Sequence, residues 1–192
     1  MYVWKHWCKP GPSMHERPRA LAKQVRIVTD RGQIHAEVPS GQAGGWSVSY
    51  RITAPKNASL DLHAHNGGIS VADVIGQLEI ATYNGRIRLA DVGGDVRGKT
   101  TNGSVHVDLK GGHFDGTEMD VTTTNGSVTL SIPTDYSARL ETGTVNGRIS
   151  TDIPFTTQGE NAGRTLTTTL GQGGALIRVA THNGAVRVRR SS

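Results

Sequence analysis

Apolar and polar residues alternate along most of the chain, and the alternation restarts after each Asn-Gly dipeptide. A β-branched aliphatic residue follows each of these glycines by two positions, and in most copies another apolar residue follows two positions later. A spacing of two places one set of side chains on one face of a strand, so every copy predicts a strand with an inward face. The β-branched residues are Ile69, Ile87, Val105, Val128, Ile149 and Val186.

The Asn-Gly dipeptides return at intervals of 18, 18, 23, 21 and 37 residues. Threonine stands two positions before the asparagine in five of the six copies. When the same residue type returns at the same phase, the simplest structure stacks each repeat as one coil of a β-solenoid, about 4.8 Å above the last. We therefore expect structural ladders of Asn66, Asn84, Asn102, Asn125, Asn146 and Asn183, and of Thr82, Thr100, Thr123, Thr144 and Thr181. Asn and Gly also tolerate positive φ, which suits a corner.

Two other all-β folds are weaker alternatives. A left-handed hexapeptide helix needs an aliphatic residue at every sixth position, and Gly93, Lys99 and Gly111 break that pattern. A meandering antiparallel sandwich of short strands is the other alternative. We predict a parallel β-solenoid with about 18–23 residues per coil and an N-terminal β cap.

The same pattern sets the expected domain organisation. We predict a disordered basic arm over residues 1–23 and a single β-solenoid domain over 24–190. Within that domain we expect a cap (24–62), regular coils (63–151), an insertion (152–174) and a last coil (175–190). The last coil would lie at the end of the stack, where Arg187, Arg189 and Arg190 would guard the open edge. The extra residues between Asn102 and Asn125 are expected to bulge outward at a corner.

Charge is unevenly distributed along the chain, whose formal net charge is +5. Residues 1–60 hold 9 Lys and Arg against 3 Asp and Glu, whereas residues 61–192 hold 12 against 13. Counted by segment, the repeat body is neutral and indicates no phosphate track, so we do not expect a nucleic-acid partner. A polyanion binder that works through residues 1–60 is an alternative.

Targeting signals are not evident. No run of 18 apolar residues predicts a transmembrane helix, and the first 20 residues have neither the apolar core nor the cleavage site of a signal peptide. The one cysteine, Cys8, excludes an intrachain disulfide and has no base positioned beside it.

Two segments carry a family resemblance. TYNGRIRLADVGGDVRGKTTNGSVHVDL and TTTNGSVTLSIPTDYSARLETGTVNGRIS share a Thr-x-Asn-Gly-x-Val/Ile motif. With residues 24–190 as a whole, they resemble bacterial β-strand-repeat domains of unknown function that are grouped with adhesins. The resemblance implies a right-handed parallel β-solenoid and an exported or membrane-attached location on the extracytoplasmic side. It brings no catalytic residues.

Few residues suggest chemistry. Asp73 and Asp91 share a phase, and stacked carboxylates are compatible with a polysaccharide lyase or hydrolase. The next two copies carry Leu109 and Ile132 at that phase, so a solvated corner is the preferred interpretation. We predict no catalytic, cofactor or metal site.

The histidines suggest a metal clip only weakly. His63 and His65 share a strand face, but His65 and His182 occupy a position that Tyr, Thr or Val fills in other copies. We therefore expect a non-catalytic structural or interaction module of the bacterial cell envelope, adhesin-like, with a glycan or protein partner on its polar face. A polysaccharide-active enzyme on the same fold is the alternative.

Overall fold

The computed structural model describes residues 3–6, 26–30, 33–37, 49–153 and 164–191, and these ranges contain strands and turns but no helix. The chain divides into two compact units, 1–54 and 55–192. In the first unit, β1 (Val3–His6) pairs antiparallel with β4 (Ser49–Ile52). Strand β2 (Arg26–Asp30) pairs antiparallel with β3 (Gln33–Glu37). Apart from β1, the arm predicted over residues 1–23 lies outside the described residues.

In the described residues of the second unit, eleven strands form one mixed sheet. All its strand pairs are parallel except that of β11 with β13, which is antiparallel. The strands are β5 (Leu60–Asn66), β6 (Ile69–Asn84), β7 (Ile87–Asn102), β8 (Val105–Asp108), β9 (Gly116–Asn125), β10 (Val128–Pro133), β11 (Ala138–Asn146), β12 (Ile149–Thr151), β13 (Thr165–Leu170), β14 (Leu176–Asn183) and β15 (Val186–Ser191). The parallel pairing excludes the antiparallel sandwich.

The register of the pairs follows the sequence repeat. Ile69 lies opposite Ile87, which in turn lies opposite Val105. The 18-residue period therefore places equivalent side chains on neighbouring strands, as predicted. Strand β6 pairs with β7 along its whole length, from Ile69 opposite Ile87 to Asn84 opposite Asn102. Asp73 and Asp91 are left out of this register, and the strands bend there.

The strands form two faces that meet at the Asn-Gly corners. The leading face contains the strands that follow each Asn-Gly, namely the first parts of β6 and β7 with β8, β10, β15 and β12. The trailing face contains the strands that precede it, namely β5, the last parts of β6 and β7, β9, β14 and β11. One hydrophobic cluster includes inward side chains of both, among them Val105 and Val128 from the leading face and Met119 and Val121 from the trailing face.

The C-terminal repeat does not lie at the end of the stack, so that prediction is wrong. Strand β14 pairs with β9 on one side and β11 on the other, and β15 lies between β10 and β12. A repeat between two others bonds through both edges, whereas a terminal repeat would leave one edge unpaired. The outer edge of β11 is covered by the antiparallel β13, which comes from the predicted insertion.

The structure also differs from the predicted repeat at two other places. β5 pairs in register with β6, so the limit expected between cap and coils at residue 62 falls inside a strand of the sheet. The extra residues before Asn125 do not all bulge outward, because Phe114 is buried in the core. The register shifts between Gly94 and Asp95, where the partner strand carries one residue more.

Candidate functional site

The Asn-Gly corners contain a continuous ladder of amide hydrogen bonds. Each Asn Nδ2 after that of Asn66 donates to the Oδ1 of the asparagine in the preceding repeat of the stack, at 2.8–2.9 Å. Because the C-terminal repeat is inserted, the order along the stack is Asn66, Asn84, Asn102, Asn125, Asn183, Asn146. These amides bond one another along the stack, which gives them a structural role.

The threonines hold the same corner from inside. Each Thr Oγ1 donates to the carbonyl oxygen of the corner glycine in the neighbouring repeat, as Thr82 does to Gly67 at 3.0 Å. The same bond is made by Thr100, Thr123, Thr144 and Thr181 at 2.8–2.9 Å. All five side chains are buried, so each hydroxyl satisfies a carbonyl that the corner would otherwise leave unbonded.

The paired aspartates lie at a second corner. Asp73 and Asp91 have φ of +57° and +52°, the left-handed conformation that Asp tolerates better than most residues. The Lys110 Nζ lies 4.0 Å from an Asp73 oxygen and 3.9 Å from an Asp91 oxygen. All three side chains are largely exposed, so these ion pairs contribute little to stability.

A shallow pocket adjoins Asp91. Tyr136 is buried in it, and burial, with the negative charges of Asp115 and Asp91, raises the pKa of the Tyr136 hydroxyl well above its usual range. The His113 Nε2 lies 2.8 Å from an Asp115 oxygen. Other lining residues are Lys56, Ile75, Val92, Gly93, Leu109 and Lys110. The neutral Tyr136 hydroxyl, the carboxylates of Asp91 and Asp115 and the Lys110 ammonium could form hydrogen bonds with a small polar group in this pocket.

The two histidines of the weakly indicated metal clip, His63 and His65, have different partners in the structure. The His63 Nε2 contacts an Asp61 oxygen at 2.6 Å, whereas the His65 ring stacks on Tyr83 with centroids 5.3 Å apart. In the part of the chain that the structure describes, no cluster of three or more His, Cys, Asp or Glu side chains could hold a metal ion.

Charged side chains on the trailing face alternate in sign from strand to strand. Across the stack, one row of outward positions carries Asp61, Glu79, Arg97, Asp120, Arg178 and Glu141. From Arg97 to Arg178, each residue has an opposite charge on both neighbouring strands, an arrangement that favours the pairing of adjacent strands, whereas Asp61 and Glu79 are like charges. Among the described residues, no ion pair joins two members of this row, and Arg97 Nε lies instead 3.6 Å from an Asp95 oxygen.

The leading face carries arginines without such alternation. We call Arg86, Arg88, His106, Arg148, Arg187 and Arg189 the arginine face. Its five arginines are exposed, and they alternate with buried aliphatic residues on β7 and β15. The Arg88 Nη2 donates to an Asp108 carboxylate oxygen at 3.0 Å, and the Arg86 Nε donates to the Ser104 Oγ at 3.0 Å. Within the described ranges, Arg148, Arg187 and Arg189 form no ion pair.

His106 lies among these arginines. Its pKa is lowered by burial and then by the Arg86 charge, opposed by Asp108, with Arg88 and Arg189 lowering it further. The Nδ1 atom is buried and has no hydrogen-bond partner in the structure.

Counting charge by segment concealed this face. In the sequence, the arginines occupy the second, fourth and sixth positions after the asparagine of their repeat. Counting charge by phase within the repeat, instead of by segment, would have revealed them. The adjacency of Arg187 and Arg189 to the middle of the face could not have been found in this way, because it depends on the inserted repeat.

The match to a known family covers nearly the whole chain. The model of the family described as Toastrack DUF4097 matches residues 18–189. The chain belongs to this family. Toastrack DUF4097 is a family of unknown function with β-repeat character, so the match agrees with the predicted repeat and assigns no activity. No curated protein and no solved structure matches this Toastrack chain. Its described part contains no helix long and apolar enough to cross a membrane.

Proposed function

We propose that this Toastrack domain is a right-handed parallel β-solenoid that acts as a non-catalytic interaction module, adhesin-like, on the extracytoplasmic side of a bacterial envelope. Right-handedness follows from the strong preference of parallel strand crossovers for that hand. The register between repeats supports the solenoid, since equivalent residues pair at each step from Ile69 through Ile87 to Val105.

One observation carries the functional part of the proposal: outward side chains form straight rows on a scaffold whose corner groups bond one another. The Asn and Thr side chains of the corners are used within the stack, as Asn102 and Thr100 show. The outward rows of both faces carry charged and hydroxyl groups instead. A rigid, flat array of such groups suits contact with an extended partner.

The test is a binding assay against an array of neutral and acidic glycans, with analysis of glycan chain length after incubation. We expect saturable binding and unchanged chain length. Protease shaving of intact cells of the source bacterium tests the location, because an extracytoplasmic domain is degraded without lysis. Absence of binding to every glycan and to envelope proteins would contradict the interaction module.

A polysaccharide lyase or hydrolase is the second candidate, favoured by the pocket beside Asp91 and Tyr136. If the domain is an enzyme, acidic polysaccharides become shorter and Asp91→Asn abolishes the shortening. Asp61→Asn is the matched control, since Asp61 is an exposed carboxylate on the trailing face. We expect no shortening with the unmodified protein, and shortening that depends on Asp91 would overturn the non-catalytic proposal.

A further inference from the structure

The arginine face gathers positive charge that is widely separated in the sequence. On the leading face Arg88 pairs with His106, which pairs with Thr129, which pairs with Arg187, and Arg187 pairs with Ser150. Strands of a sheet are about 4.8 Å apart, and alternate residues of one strand are about 7 Å apart. Guanidinium groups from three repeats, namely those of Asn84, Asn146 and Asn183, are therefore displayed on one face of the sheet.

Little of this charge is neutralised within the protein. Asp108 is paired with Arg88, and among the described residues in these outward rows of the leading face the other acidic residue is Asp152, directly after β12. On the trailing face, by contrast, Arg97 and Arg178 each lie between two acidic residues of the neighbouring strands. The trailing arginines are therefore surrounded by carboxylates that would repel an external anion, whereas Arg187 has only Thr129 and Ser150 opposite it on the neighbouring strands.

We propose that the arginine face binds a linear anionic polysaccharide, whose sulfate, phosphate or carboxylate groups contact the guanidinium groups. This inference rests on the proposed role as an interaction module and names the chemistry of its partner. Guanidinium forms paired hydrogen bonds with such oxyanions. Hydroxyl groups of Ser104, Ser127 and Thr129 lie between the arginines and can bond sugar hydroxyls.

The composition of the face favours a carbohydrate over other polyanions. Its described residues include no Phe, Tyr or Trp side chain on which bases of a single strand could stack. A flat sheet face offers no helix or ribbon to enter the major groove of duplex DNA. It also lacks the apolar side chains that anchor a protein in a lipid surface.

The pKa of His106 should change when a ligand binds to the arginine face. Besides burial, its pKa depends on Arg86, Arg88, Arg189 and Asp108. A bound polyanion offsets the positive charges, so it favours protonated His106 and raises the pKa. Binding is then linked to proton uptake, and affinity increases as the pH falls through the range between the free and bound pKa values of His106.

The experiment measures binding of dextran sulfate and heparin to the full chain by isothermal titration calorimetry. The test variant is Arg187→Ser with Arg189→Ser, and the matched control is Lys99→Ser with Arg139→Ser, which removes the same charge from exposed trailing-face positions. All four side chains are exposed, so both variants should melt like the unmodified protein. We expect about tenfold weaker binding for the test variant and a far smaller change for the control.

Binding should also weaken with added salt and fail with neutral dextran. His106→Gln should reduce the gain in affinity between neutral and mildly acidic pH. Equal losses in the two double variants, unchanged binding in both, or tighter binding to duplex DNA or anionic vesicles would overturn the proposal. Binding of a neutral glycan that is unaffected by the arginine substitutions would also overturn this proposal, but it would be compatible with the interaction module. Shortening of a polysaccharide that depends on Asp91 would contradict the interaction module itself.

Discussion

At the residue scale, the corner glycines are required mainly by the close approach of neighbouring repeats. A Cβ on Gly85 would lie 1.9 Å from the Gly67 carbonyl oxygen, and one on Gly103 would lie 1.9 Å from that of Gly85. Gly85 and Gly103 do not have positive φ, although Gly67 and Gly184 do, at +141° and +156°. The interpretation of Asn-Gly as a positive-φ corner is therefore correct for only some copies. Among the described residues other than glycine, positive φ occurs at the second corner, in Asp73 and Asp91.

The effect of Gly85→Ala tests this explanation. We expect it to lower the free energy of unfolding by about 2 kcal/mol or more, since the methyl group meets backbone that cannot move aside. Gly112→Ala is the control, because nothing lies within 4 Å of its added Cβ, and it should change stability by less than about 0.5 kcal/mol. Urea unfolding of the two variants gives the comparison, and equal changes would contradict close approach as the reason for glycine.

At the element scale, strand alternation decides which side chains are buried. On β8, Val105 and Val107 are buried and His106 lies outward of them. The same alternation on β7 and β15 leaves arginines exposed between buried aliphatic residues. The inward positions could be predicted from the sequence because a strand has a fixed period of two, which needs no knowledge of neighbouring elements.

Val105→Asp and Lys99→Asp should therefore have very different effects. Val105 has no exposed surface, so an aspartate there buries an unpaired charge, and we expect the domain to unfold. Lys99 is exposed on the trailing face and should tolerate the change. Thermal melting followed by circular dichroism distinguishes the variants, and melting at the same temperature would show that the inward assignment is wrong.

At the scale of the whole molecule, the C-terminal repeat completes the stack from within. Strand β14 closes the space between β9 and β11, and β15 closes that between β10 and β12. Without them, the facing edges of β9 and β11 would be unpaired and the core would open between Val121 and Leu140. The inserted repeat also brings Arg187 and Arg189 into the arginine face.

Removal of residues 175–192 tests the insertion. We expect the shortened chain to lose cooperative thermal unfolding, and a synthetic peptide of residues 175–191 to restore it by pairing on both edges. A peptide carrying Val179→Asp and Val186→Asp should fail, because both valines are fully buried. A shortened chain that melted like the full chain would indicate that the repeat is a dispensable terminal addition.

Local patterns of the sequence by themselves determined much of this protein. The 18-residue period predicted neighbouring Ile69, Ile87 and Val105, and the phase of Asn and Thr predicted which residues could meet at the corners. These features depend on strand periodicity and on pairing between adjacent repeats. In a regular repeat, strand periodicity and the pairing of adjacent repeats can both be read from the spacing of equivalent residues.

Only the tertiary structure decided the order of the repeats and the surfaces that result. The sequence runs from Asn146 to Asn183, but the stack places Asn183 between Asn125 and Asn146. Hydrogen bonding between strands depends on which edges are free, and a linear pattern of residues does not specify this. The same order places Arg187 and Arg189 between β10 and β12 on the leading face, so the candidate binding surface depends on tertiary pairing.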